Sequence, residues 1–219
     1  MGLTIHYRGK LADLEQVKTI SDELIRIAEK MNWEWTSFDE DWDKPASAKF
    51  VTNFADGSPT AQISGHLPLK GVALTPDGAE SLFFFFDPEG KLCHPLGMIL
   101  IMDGKLRPED AWVSVKTQFS STETHIWIVG LLRYLKAHYI PDLEVHDEGE
   151  YWETGSFETL KGKTDFLTGK MDAISNELSR VSRGHVSEFS AEEVASMIEG
   201  LIREKIKPDD VKTLPQILK

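Results

Sequence analysis

AWVSVKTQFSSTETHIWIVGLLRYLKAHYIPDLEVHD, residues 111–147, reads as a strand, a helix and a second strand in one unbroken run. Ala111 to Phe119 has strand character, and Ser120-Ser121-Thr122-Glu123 is a capping-box signature that starts a helix. The helix runs to about Tyr139, where Pro141 stops it, because a proline disfavours helical backbone at the residue before it. Ile126, Trp127, Val129, Leu131, Leu132, Tyr134 and Leu135 ring most of the helix, which predicts burial on more than one side. Asp142 to His146 is the returning strand. A strand–helix–strand connection within one sheet is right-handed with its strands parallel, so both carboxyl ends emerge on one edge.

Working outward, GLTIHYR alternates Leu3, Ile5 and Tyr7 with Thr4 and His6, and predicts an opening strand. Asp13, with Gln16 three residues on, then caps a helix whose apolar face is Leu14, Val17, Leu24, Ile27, Ala28 and Met31. Trp33 and Trp35 alternate with polar neighbours, so the chain begins β-α-β. From Phe38 to Trp112, short apolar runs alternate with turn signals such as Asp87-Pro88-Glu89-Gly90, the texture of an antiparallel meander. SLFFFF and PLGMILIM are of strand length. Phe83 to Phe86 cannot all face one side of a strand, which predicts a central strand covered on both faces.

The expected class is α+β: a mixed, largely antiparallel sheet of roughly six to eight strands, with β-α-β units at the start and near residues 111–146, covered by C-terminal helices. Residues 1–155 form the sheet domain, 156–206 a helical extension and 207–219 a tail. The extension holds a long apolar stripe from Phe157 to Val181 and a second helix capped by Ser190 with Glu193. That stripe makes a homodimer a further reading.

With 219 residues the chain can bury roughly 70% of its unfolded surface without disulfides. Its single cysteine, Cys93, reads as a small core residue. A formal net charge of -12 repels phosphate backbones and anionic membranes, which argues against nucleic acid and membrane surfaces as partners. No apolar run is long enough to span a bilayer and no signal leader is legible, so a cytoplasmic protein is expected. Asp39, Glu40, Asp41 and Asp43 do not make a calcium loop, because Lys44-Pro45 stands where the glycine turn and later ligands belong. Phosphate-binding glycine loops and a nucleophile elbow are also missing.

PDLEVHDEGEYWETGSFETL, residues 141–160, carries seven carboxylates and neither Lys nor Arg. Acids so crowded repel unless a cation, a donor or a partner takes up the charge, so the segment is either a solvated turn or a site. As a turn, Gly149 would supply a positive φ. As a site, the crossover brings Lys116, Gln118, Ser120 and His125 towards Asp147, Glu148, Glu150 and Tyr151 at the carboxyl edge where open sheets bind ligands. Trp152 would extend the aromatic surface, and a first strand parallel to the others would add Arg8.

Two functions follow. One is a binding module whose acidic, aromatic edge, residues 146–153, engages a protein or small-molecule partner of cationic or amphipathic character. The other is a divalent-metal-assisted hydrolase or transferase acting on a small anionic substrate. There Asp147, Glu148 and Glu150 would be oxygen ligands to Mg2+, Mn2+ or Ca2+, with His125 as acid or base and Lys116 holding the substrate. No second His or Cys stands at a spacing specific for a transition-metal site.

The MGLTIHY start, the KTQFSS stretch before a His-bearing helix, and the DEGEYWET turn together resemble a family of uncharacterised bacterial proteins. The resemblance covers the first strand and about residues 116–160. It implies no activity, cofactor or catalytic residue.

Overall fold

A computed structural model describes residues 3–53 and 60–169. Residues 1–161 form one compact unit, and the protein is α+β. Its strands are β1 (Thr4–Arg8), β2 (Glu34–Asp39), β3 (Lys49–Asn53), β4 (Thr60–Ser64), β5 (Lys70–Thr75), β6 (Leu82–Phe86), β7 (Val113–Lys116) and β8 (Glu144–Asp147). Among the described residues they are accompanied by helices α1 (Val17–Met31), α2 (Pro95–Met102), α3 (Thr122–His138) and the single turn α4 (Tyr151–Thr154). Residues 157–169 are also helical. The predicted stripe beyond 169, the second C-terminal helix and the tail lie outside the described residues.

The strands divide among three ladders, ordered β7-β1-β8, β2-β5-β6 and β3-β4, and every pairing among them is antiparallel. Strand, helix and strand follow one another at the start as the sequence predicts, but β1 and β2 enter different ladders. The crossover at 113–147 spans one strand. Because β1 lies between β7 and β8 and runs against both, those two are parallel to each other, and their carboxyl ends meet where β1 begins. Arg8 consequently sits at the far end of β1, paired with Glu144 at 2.7 Å.

Leu82, Phe84 and Phe86 of β6 join Val72 and Leu74 of β5 in the main core with Ile5, Tyr7, Val113 and Val115. One face of α1 (Val17, Ile20, Leu24, Ala28) and one of α3 (Ile128, Val129, Leu131, Leu132, Leu135) close it. Ala73 and Phe85 point the other way, into a smaller cluster with Leu67, Leu69, Cys93 and Ile99. The phenylalanine strand is thus covered on both faces, as its composition requires. It is not central in its ladder: β6 is an edge strand, and its outer backbone groups are covered by the Tyr7 side chain and by the Cys93 amide, which donates to the Phe85 carbonyl at 2.9 Å. The buried Tyr7 hydroxyl donates to the Phe83 carbonyl at 3.0 Å and accepts from the Phe83 amide at 3.1 Å, which satisfies two groups a partner strand would otherwise take.

PLGMILIM is helix α2, not a strand. The His94 side chain accepts from the Leu96 amide and Pro95 occupies the first helical turn, where its missing N–H costs nothing. An apolar run of this length has no periodicity to distinguish the two, and the cap settles it. In α3 the cap is Ser121, which accepts from the Thr124 amide at 3.1 Å, one residue later than the capping box suggests. Trp127 is 57% exposed and Tyr134 39% exposed, so α3 buries one face rather than more than one side.

Candidate functional site

The carboxyl edge of β7 and β8 assembles three polar side chains inside the protein. Thr117 follows β7 in the inward register of Val113 and Val115, and is 3% exposed; His125, in the first turns of α3, and Asp147, the last residue of β8, are each 2% exposed. The Thr117 hydroxyl lies 2.8 Å from His125 Nδ1 and 3.2 Å from the Leu3 carbonyl oxygen, to which the Thr117 amide also donates at 2.8 Å. His125 Nε2 bridges the Asp147 carboxylate, 3.1 Å from Oδ1 and 3.2 Å from Oδ2. Oδ1 further accepts the Gly149 amide at 2.7 Å, and Oδ2 accepts the Tyr151 and Trp152 amides, each at 2.9 Å.

Burial alone would raise the Asp147 pKa. Hydrogen bonding and charge from His125, with the Trp152 and Gly149 amides, outweigh it and hold the carboxyl below its ordinary value. Asp147 is the acceptor that starts α4: its carboxylate takes amides four and five residues ahead while the chain turns over Glu150. Two proton arrangements satisfy the imidazole. Either Thr117 donates to a neutral ring, or Thr117 donates to Leu3 and a protonated ring donates from both nitrogens. Among the described residues no buried side-chain nitrogen or oxygen lacks a partner.

Hydroxyl, imidazole and carboxylate stand here in the order used by nucleophilic triads. Chemistry at this place would need a path to the Thr117 oxygen, and that oxygen faces the Leu3 carbonyl inside the sheet. Packing is as tight on the other side: a Cβ built on Gly149 would stand 2.9 Å from His125 Cε1 and 2.8 Å from Leu160 Cδ1. Gly149 is therefore glycine because of close approach. Its φ is not positive, contrary to the turn reading; Glu150 takes the left-handed conformation instead, at φ 59°.

The other predicted residues scatter around this core. The backbone of Lys116 is tied to Glu80, whose carboxylate accepts the Lys116 amide at 3.0 Å and whose own amide donates to the Lys116 carbonyl at 3.0 Å. Gln118 is half-buried in the following turn, and the Ser120 hydroxyl donates to the Thr117 carbonyl at 2.8 Å. Glu148 pairs with Thr4 twice, its carboxylate accepting the Thr4 amide at 2.9 Å and its amide donating to the Thr4 carbonyl at 3.1 Å. Glu150 is exposed. Tyr151 and Trp152 are half-buried under Arg133, which donates to their carbonyls at 3.2 and 2.9 Å, its guanidinium 5.8 and 5.7 Å from their ring centroids. His146 is exposed and stacks on His6, its cross-strand partner on β1, with ring centroids 6.0 Å apart. Half-burial lowers the His6 pKa, with Glu148 opposing and His146 reinforcing.

Among the described residues, no group of three or more His, Cys, Asp and Glu side chains is arranged to hold a metal ion. Asp147 is turned inward onto amides while Glu150 faces solvent. Sequence reasoning had brought His125 and Asp147 together but passed over Thr117, whose signal is a hydroxyl at the inward position of an alternating strand. No family model, curated protein or solved structure matches this chain. No helix of the described residues is long and apolar enough to cross a membrane.

Proposed function

We propose that the protein is a binding module whose 146–153 rim engages a cationic segment of a partner protein. The supporting observation is the division of labour within the acidic turn. Asp147, with its side chain wholly buried, is spent on His125 and three amides, whereas Glu150 and Glu153 face solvent on and beside the helical turn that Asp147 pins. Carboxylates held on a rigid turn present a fixed negative pattern without ordering cost at the moment of binding, which favours recognition over chemistry. His146 and the half-exposed rings of Tyr151 and Trp152 extend the rim with surface that an amphipathic partner can cover.

The test is a titration of the 15N-labelled protein with a lysine-rich peptide and a glutamate-rich peptide of equal length. The lysine-rich peptide should shift the amides of residues 146–153, more weakly as salt screens the charges. Glu150→Gln with Glu153→Gln should weaken it roughly threefold or more, as expected for losing two exposed pairs. Equal binding of both peptides, or an unchanged affinity in the double variant, overturns the reading.

A further inference from the structure

Strand β2 forms one edge of the β2-β5-β6 ladder, and all six of its residues are exposed, those on the α1 face and those on the opposite face alike. In antiparallel pairing, alternate residues give both backbone groups to one neighbour and the residues between them point both groups away from it. Glu40, the residue after β2, donates its amide to the Leu69 carbonyl at 3.2 Å, which continues the β2-β5 register and assigns the even-numbered residues to β5. The amides and carbonyls of Trp35, Ser37 and Asp39 therefore point out of the sheet, and among the described residues none of these backbone groups has a hydrogen-bond partner. Other edges are covered. Tyr7 and Cys93 take outward groups of β6, and Glu80 takes both backbone groups of Lys116 on β7. β2 has neither such a cover nor the proline, lysine or bulge that blunts exposed edges.

Charge selects the occupant. Residues 34–43 hold five carboxylates, Glu34, Asp39, Glu40, Asp41 and Asp43, and neither Lys nor Arg. Lys70 pairs with Asp39 at 2.9 Å and His66 Nδ1 lies 3.1 Å from Glu40, whereas Glu34, Asp41 and Asp43 make no ion pair among the described residues. A second copy fits badly: antiparallel pairing centred on Ser37 would set Glu34 of each chain opposite Glu40 of the other, two like-charge pairs between chains of formal net charge -12. A strand with basic ends instead meets Glu34 at one end and Asp41 at the other. Between those ends Trp35, 41% exposed, and Phe38, 39% exposed, stand on opposite faces and offer apolar contact to alternate residues of the incoming strand. We propose that β2 takes an extended segment of a partner protein as a further strand of its ladder, with Lys or Arg at the ends of the segment and β-branched residues between them. The segment runs antiparallel to β2, the more stable pairing per residue. Backbone hydrogen bonds supply the affinity and the acidic ends the choice of partner, at a site that shares no residue with the 146–153 rim.

The probe is an acetylated and amidated heptapeptide, Lys-Thr-Val-Thr-Val-Thr-Lys, titrated into the full-length 15N-labelled protein. Its lysines reach Glu34 and the Glu40-Asp41 end when its second, fourth and sixth residues pair with Asp39, Ser37 and Trp35. Binding should shift the amides of residues 34–39 and slow hydrogen exchange at Trp35, Ser37 and Asp39. N-methylation of the fourth and sixth peptide amides, which face β2, should weaken binding roughly tenfold or more, and N-methylation of the third and fifth, which face away, should leave it within about twofold. Ser37→Pro removes an outward N–H that the β2-β5 ladder does not use, so this variant should keep the wild-type circular dichroism and lose roughly tenfold in affinity. Replacing both peptide lysines by glutamate should weaken binding about threefold or more, with a smaller difference at high salt. The proposal is overturned if the peptide methylated at its fourth and sixth amides binds as tightly as the unmodified one, if the glutamate-ended peptide binds equally well, if the shifts avoid β2, or if millimolar peptide produces none. The methylated peptides leave the protein unaltered, so they decide the matter even where Ser37→Pro fails to fold. Signals of the 146–153 rim read the other site independently.

Discussion

Replacing Asp147 by alanine removes one buried carboxylate and strands four donors at once: the amides of Gly149, Tyr151 and Trp152 and the imidazole of His125. An orphaned buried donor costs about 1–3 kcal/mol. The four do not simply add, because Tyr151 and Trp152 are half-buried and water can reach their amides once α4 loosens. His125 and Gly149 are buried and have no such escape. The appropriate scale is that of breaking a buried pair by deleting one partner, about 3–5 kcal/mol, which for a chain of this size lowers Tm by roughly 6–20 °C. Urea unfolding followed by tryptophan fluorescence and far-ultraviolet circular dichroism measures it, with the m-value unchanged if the two folded states are equally compact.

The pH dependence carries a definite sign. Asp147 in the folded protein sits below its ordinary value of 3.8, so its contribution is present in full above that value and is lost as pH falls through the folded one. The stability gap between wild type and Asp147→Ala should therefore hold steady from neutrality down to about pH 5 and narrow in stronger acid. A loss smaller than about 1 kcal/mol near neutrality, or a gap that widens on acidification, would refute the view that this carboxylate is ionised and structurally committed.

Three further outcomes follow from the same packing. Thr117→Val leaves His125 Nδ1 without its hydroxyl and should cost about 1–3 kcal/mol in urea unfolding, more than Thr117→Ser; equal stabilities would mean that the hydroxyl contact contributes nothing. Gly149→Ala forces a methyl against His125 and Leu160 and should destabilise by about 1–3 kcal/mol, whereas Gly130→Ala, in mid-α3 with nothing within 4 Å, should stabilise by about 0.5–1 kcal/mol; the same sign at both positions would discredit the contact argument. Burial, with the Asp87 carboxylate adding to it, pushes the Cys93 thiol up to about 12, so a disulfide reagent near pH 8 should label the native protein far more slowly than the urea-unfolded chain, and rapid stoichiometric labelling of the native state would contradict its burial.

Helices α1 and α3 were legible because their capping residues and their apolar spacing lie within a few residues of each other. So was the meeting of His125 with Asp147, since a crossover of fixed hand brings the two carboxyl ends of its strands together whatever lies between them. Thr117 was harder: a hydroxyl on a strand reads as solvent-facing until the register shows which face is inward. Gly149 misled in the opposite direction. A glycine after Asp-Glu reads as a turn residue, whereas its role depends on Leu160 and His125, which approach it from other elements.

From the order of its residues alone, this chain determines its α+β class, the positions of helices α1 and α3 and of the strands flanking them, and the edge on which the acidic turn falls, because periodicity, caps and crossover handedness are local or nearly local properties. Tertiary structure decided the rest. It divided the strands among three ladders, set β6 at an edge sealed by Tyr7, turned Asp147 inward while leaving Glu150 and Glu153 in solvent, and left the edge of β2 uncovered among the described residues. Strand partners and side-chain burial depend on contacts between residues far apart in the chain, and a carboxylate is written the same way in a sequence whether water or four buried donors surround it.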